Sequence, residues 1–151
     1  MQKSILWTGL SNDTEEHCAV SFLGDSITVR SEIEGWAEGK PVYSEYIIKL
    51  DTHWNVIEFS IKFSISDVEN AYSMTCSAVG EWTDSYGNSH PGFNGCRYID
   101  ISLTPFTNTL PINGLLLKEK ETKEVSVLYI DIMNNRVYRD IQHYTKTTGN
   151  R

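Results

Sequence analysis

Alanine is scarce in this sequence, with four in 151 residues against 14 Ile, 9 Val and 13 Thr. Alanine is the strongest helix former, whereas β-branched side chains pack well on pleated strands, so the imbalance excludes a helical bundle and points to a mostly β chain. Basic residues are also in the minority, 13 Lys and Arg against 20 Asp and Glu, for a formal net charge of −7. They are scattered among acids, as in Lys118-Glu119-Lys120-Glu121, and so lack the basic footprint that attracts phosphate backbones. Nucleic acid is therefore not an expected partner. Long apolar runs are missing as well. Gly114 to Leu117 falls far short of the ~20 residues that cross a bilayer, and the Met1 to Trp7 start has no signal-like apolar region. These absences lead to the expectation of a soluble, cytoplasmic chain with no stable membrane insertion.

The reactive residue types are equally thin. Cys18, Cys76 and Cys96 are an odd, widely spaced set without a Cys-x-x-Cys, which implies neither a disulfide framework nor a zinc ribbon. Reduced, partly buried thiols that pack as small hydrophobes are expected instead. His17, His53, His90 and His143 form no spaced ligand pair, and no phosphate-binding glycine loop is present, so no metal or cofactor is expected.

What is present is strand periodicity. Ile27, Val29, Ser31 and Ile33 alternate with Thr28, Arg30, Glu32 and Glu34, the pattern of a half-buried strand with a charged outer face. Gly35 and Glu38-Gly39-Lys40-Pro41 break it, and Val42, Tyr46, Ile48 and Leu50 share the next face. A third run places Ile57, Phe59, Ile61, Phe63 and Ile65 on one side and Glu58, Ser60, Lys62 and Ser64 on the other. Tyr72, Met74, Cys76 and Ala78 suggest a further strand before the turn-rich segment from Gly80 to Gly95. Cys96 to Leu103 reads as a strand. Val125 to Ile132 and Val137 to Tyr144 read as a hairpin around Met133-Asn134-Asn135. Ser66-Asp67-Val68-Glu69 is the one helix candidate and is short enough to be a turn. Nine or ten strands in a single domain over 1–151 imply an antiparallel sheet, curled or spiralled as a β-roll or half-barrel, with few or no helices.

One motif suggests catalysis. Phe22-Leu23-Gly24-Asp25-Ser26-Ile27-Thr28 looks like the nucleophile block of the SGNH (GDSL) hydrolases, and Asp140-x-x-His143 has the spacing of that family's acid and base. The context opposes it, because a helix should follow Ser26 where Ile27 to Glu34 alternates as a strand. An esterase built on Ser26, Asp140 and His143 is kept as the alternative.

The most unusual stretch runs from Gly95-Cys96 through Asp100, Thr104-Pro105, Thr107-Asn108 and Leu110-Pro111-Ile112. Two prolines there fix φ and withhold two amide donors, so the passage reads as rigid and kinked. This block resembles the signature of the putative glycolipid-binding protein family, a poorly characterised bacterial group. Trp7, Glu16 in a first strand, Tyr46 ahead of an Asp and Trp54, Gly80-x-Trp82 and Gln142-x-Tyr144 fall into the same order. The resemblance implies a curled sheet around an apolar interior, similar in outline to periplasmic lipoprotein carriers, with a proposed glycolipid ligand. Where that family commonly has basic residues after Leu-Pro-Ile, this sequence has Asn113-Gly114.

The residues themselves supply a candidate site. Tyr138, Asp140, Gln142 and Tyr144 share one strand face, and Tyr98 and Asp100 share another. Rows of Tyr, Gln and Asp are either a solvated sheet face or a headgroup site, with rings for C–H surfaces and bidentate groups for hydroxyls. Asn108 can cap the kinked loop or point its carboxamide inward. Asp100, if buried, needs partners such as Tyr98, Gln142 or Tyr144. Of the tryptophans, most read as core anchors, with Trp36 a candidate pocket rim. The sequence thus predicts non-catalytic binding of an amphipathic small molecule by Tyr46, Trp54, Tyr98, Asp100, Asn108, Gln142 and Tyr144, in a monomer or homodimer. A third reading is an interaction domain without ligand, its interior filled by Ile57, Phe59, Ile61 and Phe63.

Overall fold

The computed structural model describes residues 2–8 and 13–146. Seven strands form one antiparallel meander: β1 (Gln2–Thr8), β2 (Asp13–Leu23), β3 (Ser26–Ala37), β4 (Lys40–Leu50), β5 (Val56–Ile65), β6 (Val68–Cys76) and the short β7 (Trp82–Asp84). A second sheet contains β8 (Tyr98–Ile101), β9 (Thr122–Asp131) and β10 (Arg136–Thr145) in the order β10-β9-β8. The fold is mostly β, as the composition predicts. β1 and β7 are not paired with each other, so the large sheet is not closed into a barrel.

Alternation decides which face is covered. On β3, Ile27, Val29, Ser31 and Ile33 are buried and Arg30, Glu32 and Glu34 are exposed. Two-residue turns set the registers. Glu38 and Gly39, both with positive φ, join β3 to β4 so that Ala37 faces Lys40. Ser66 and Asp67, also at positive φ, make the same kind of turn between β5 and β6, so the helix candidate at 66–69 is a hairpin turn running into a strand. Ile57 departs from its expected face and is 41% exposed. A register shift sets Lys49 opposite Glu58 but Leu50 opposite Val56, which leaves Ile57 as the extra residue and puts Val56 into the core in its place.

β8 departs from the antiparallel expectation, because it runs parallel to β9. A parallel pair needs a long crossover, and the chain from Ser102 to Glu121 supplies it. That crossover contains a 3-10 turn (Phe106–Asn108) leading directly into α1 (Thr109–Leu115), where the sequence suggested a kinked loop. Pro111 sits in the first helical turn, where its missing amide has no intrahelical acceptor to lose. Leu110 is fully buried beside Phe106 on the core side.

The core lies between the inner face of the large sheet and the small sheet. Phe59, Ile61, Phe63, Ile48 and Trp82 meet Ile99, Ile101, Leu128 and Ile130 in one cluster. The Trp82 ring stands edge-on to Phe59 with centroids 5.8 Å apart, and its Nε1 donates to the Cys96 carbonyl at 2.9 Å. All three cysteines are free and buried. The interior is thus occupied by the second sheet.

Candidate functional site

Three polar assemblies stand out from this frame, the first inside the core. Glu16, placed on β2 rather than in the first strand, is 2% exposed. Its Oε2 accepts hydrogen bonds from Ser31 Oγ and Tyr46 Oη, each at 2.5 Å, and Tyr46 Oη lies 3.5 Å from Thr104 Oγ1 in the crossover. Glu16 Oε1 has no partner among the described residues. Burial and then the Glu16 charge push the Tyr46 phenol well above its usual range, and the same two causes take the nearby Cys18 thiol up to about 11. Three positions of the family resemblance, Glu16, Tyr46 and Thr104, meet here. Together they tie the large sheet to the crossover.

The second assembly lies on the small sheet. Asp100 Oδ1 accepts from Thr107 Oγ1 at 3.2 Å, and its Oδ2 accepts from Gln142 Nε2 at 2.6 Å. Tyr144 Oη in turn donates to Gln142 Oε1 at 2.5 Å. Burial raises the Asp100 carboxyl pKa against the lowering effect of these hydrogen bonds. Burial and the Asp100 charge hold the Tyr144 phenol at about 12. Asp100 therefore does find Gln142 and Tyr144, but Tyr98 is elsewhere. Its hydroxyl abuts Gly114 of α1, where an added Cβ would lie 2.5 Å from it and 2.9 Å from the His53 carbonyl oxygen. The loop role considered for Asn108 falls to its neighbour. Asn108 is exposed and its side chain caps nothing, whereas buried Thr107 accepts from the Ile101 amide and donates to Asp100.

Other expected residues scatter. Trp54 packs edge-on against Phe22 at 6.2 Å and has φ of 67°, an unusual backbone for a bulky residue. Trp36 is 54% exposed, and the Trp7 side chain lies outside the described residues. Ser26 Oγ bonds to the Leu23 carbonyl in the β2–β3 turn, and His143 pairs with Glu124 on the small sheet. Asp140 and His143 lie on opposite faces of β10, so this aspartate cannot orient that imidazole. Among the described residues no three of His, Cys, Asp and Glu gather as metal ligands, and no helix is long and apolar enough to cross a membrane.

The third assembly is a groove on the outer face of the large sheet, with a volume of about 840 Å³. Ile5, Cys18, Ser31, Tyr46, Ile61 and Tyr72 pair in one row across six strands. Because side chains of this row turn to the core, its main chain forms the groove floor. Two rows of outward side chains form the walls. One contains Ser4, Ala19, Arg30, Ile47, Ser60 and Ser73, and the other Leu6, His17, Glu32, Glu45, Lys62 and Ala71. Six strands at a spacing of about 4.8 Å make the groove roughly 24 Å long. Tyr46 is the one expected site residue that lines it, and it does so through its backbone.

At mid-groove Glu32 of β3 faces Glu45 of β4 directly. Like charges in that position destabilise a sheet. Tyr43 Oη bridges them, donating to Glu32 Oε1 and Glu45 Oε2 with separations of 3.0 and 3.3 Å. Desolvation, reinforced by the Glu32 bond and both charges, raises this phenol to about 12.

The matched family model, described as "Putative glycolipid-binding", covers residues 4–151. The chain belongs to this family. A solved structure, that of a DUF1089 family protein from Pseudomonas aeruginosa, is similar with a TM-score of 0.74 and 26% identity over 93% of this chain and 74% of that one. No curated protein matches the chain.

Proposed function

We propose that the protein binds an amphipathic small molecule of the glycolipid class, in the groove across the outer face of the large sheet, without chemical turnover and in the cytoplasm. The observation that carries this reading is the groove itself. Its volume of about 840 Å³ falls within the range of small-molecule sites, and its walls alternate Leu6, Ala19, Ile47 and Ala71 with charged and hydroxyl groups. That mixture suits a molecule with both an apolar chain and a polar head. Between the two sheets Phe59, Phe63, Trp82 and Leu128 pack in one buried cluster, whereas the groove on the outer face is open to solvent. Against the esterase alternative stands the placement of Asp140 and His143 on opposite faces of β10. Native mass spectrometry of the purified protein tests the reading. A co-purifying lipid, or a thermal shift with members of a glycolipid and fatty-acid panel, is expected. A clean unliganded mass together with no shift across the panel contradicts it.

A further inference from the structure

The groove is not uniform along its length, and the variation bears on what its ligand looks like. At the β1–β2 end the walls are Ser4, Leu6, Ala19 and His17, and Leu6 is 60% exposed, an apolar side chain left facing the groove. At the β5–β6 end they are Ser60, Ser73 and Ala71, with Ser60 and Ser73 bonded through their hydroxyls at 2.9 Å. The middle is charged. Arg30 and Lys62 bring two positive charges and Glu32 and Glu45 two negative ones, and neither Arg30 nor Lys62 forms an ion pair among the described residues.

The opposed carboxylates are the informative feature. Glu32 and Glu45 present four acceptor oxygens and receive one shared donor, the Tyr43 hydroxyl, on a strand pair where facing like charges cost stability. An uncharged headgroup with several hydroxyls answers that arrangement, because it brings donors to the carboxylates and acceptors to Arg30 and Lys62 without adding charge. An anionic headgroup answers it less well. Arg30 and Lys62 balance Glu32 and Glu45 in the groove, and the next outward row adds Glu15, Glu34 and Glu69, where Glu15 faces Glu34 and Glu34 faces Tyr43, so the surroundings carry a net negative charge.

Resting on the groove reading above, we propose that the mid-groove set of Glu32, Glu45, Tyr43, Arg30 and Lys62 is a headgroup site for an uncharged polyhydroxylated amphiphile, with its alkyl tail running over Ala19 and Leu6. The site thereby discriminates against anionic lipids of the same chain length.

The test uses two single-chain probes of equal alkyl length, an alkyl maltoside and an alkyl sulfate, each titrated below its micelle concentration by calorimetry. The native protein should bind the maltoside at least tenfold more tightly than the sulfate. Glu32→Lys, which reverses one charge on an exposed position, should remove that preference. Ala19→Trp and Ser60→Trp, which fill opposite halves of the groove, should each weaken the maltoside at least tenfold while circular dichroism confirms the fold. Equal binding of both probes by the native protein, or an unchanged preference in Glu32→Lys, overturns the headgroup site while leaving the groove in place if the tryptophan variants still block binding. Failure of the native protein to bind either probe, or binding indifferent to both tryptophans in folded protein, overturns the groove and the headgroup site together.

Discussion

The two faces of the large sheet carry the same ingredients to opposite ends. Inside, Glu16 meets Tyr46 and Ser31, and the three are sealed beneath the crossover. Outside, the neighbouring strands bring Glu32 and Glu45 to Tyr43 at the edge of an open groove. Burial makes the inner set structural, since a carboxylate withdrawn from water persists only where donors meet it. The outer set needs no such closure for stability. It has more acceptor oxygens than protein donors and sets two like charges against each other, so its acceptors are left to water or to the headgroup proposed above.

Mutations that strike the two faces in parallel should separate these roles. Phe59→Ala, in the inner core, should cost about 3–5 kcal/mol, measured by denaturant unfolding, whereas Ile47→Ala on the groove wall should cost about 1 kcal/mol or less. Equal losses would mean that the outer face is packed as a second core. The phenols give the next contrast. Tyr46→Phe strips the buried carboxylate of a donor and should cost about 1.5–3 kcal/mol, while Tyr43→Phe at the surface should change stability by about 0.5 kcal/mol or less.

A third carboxylate lies between these two cases, because Asp84 is half-buried and both of its oxygens are hydrogen-bonded. Asp84 Oδ1 accepts from the amides of Tyr86 and Asn88, and Oδ2 lies 2.9 Å from His90 Nε2. The His90 bond, followed by that of the Asn88 amide, depresses its pKa to about 2. An aspartate depressed on folding stabilises above its unfolded pKa, near 4, and loses that contribution as pH falls toward 2. Asp84→Asn should therefore melt below the native protein at pH 7, and the gap should close at pH 2. A gap unchanged by acid would remove the carboxylate from the account of the 80–95 loop. Opposite in sign is Glu32→Lys, which turns a facing like-charge pair into an opposite one and should stabilise the fold by about 0.2–1 kcal/mol. A variant that gains stability while losing headgroup preference would mark the pair as kept for binding.

Much of the framework was legible because alternation is local. The faces of β3, β4 and β5 follow from every second residue, and the Asn134-Asn135 turn from residue type. Ile57 was misplaced because a bulge is set by the partner strand, and no alternation within 56–65 reveals it. α1 was hidden by its own composition, since Pro111, Asn113 and Gly114 favour other states. Its cause is non-local, the need to carry the chain across from β8 to the parallel β9. The Asp100–Gln142–Tyr144 chain was anticipated from the requirement that a buried carboxylate be partnered. The groove was not, although one signal was available. The two-residue Glu38-Gly39 turn fixes the β3–β4 register, and that register alone places Glu32 opposite Glu45. Concavity of the outer face, by contrast, depends on how seven strands twist together, which no segment encodes by itself.

Where the ligand sits is read from the map of backbone amide shifts on titrating an alkyl maltoside into isotopically labelled protein. The groove account predicts that the largest shifts follow the floor row, at Cys18, Ser31, Tyr46 and Ile61, and extend to Glu32 and Glu45. Shifts confined to Asp100, Gln142 and Tyr144 on the small sheet, or none at all, would contradict it.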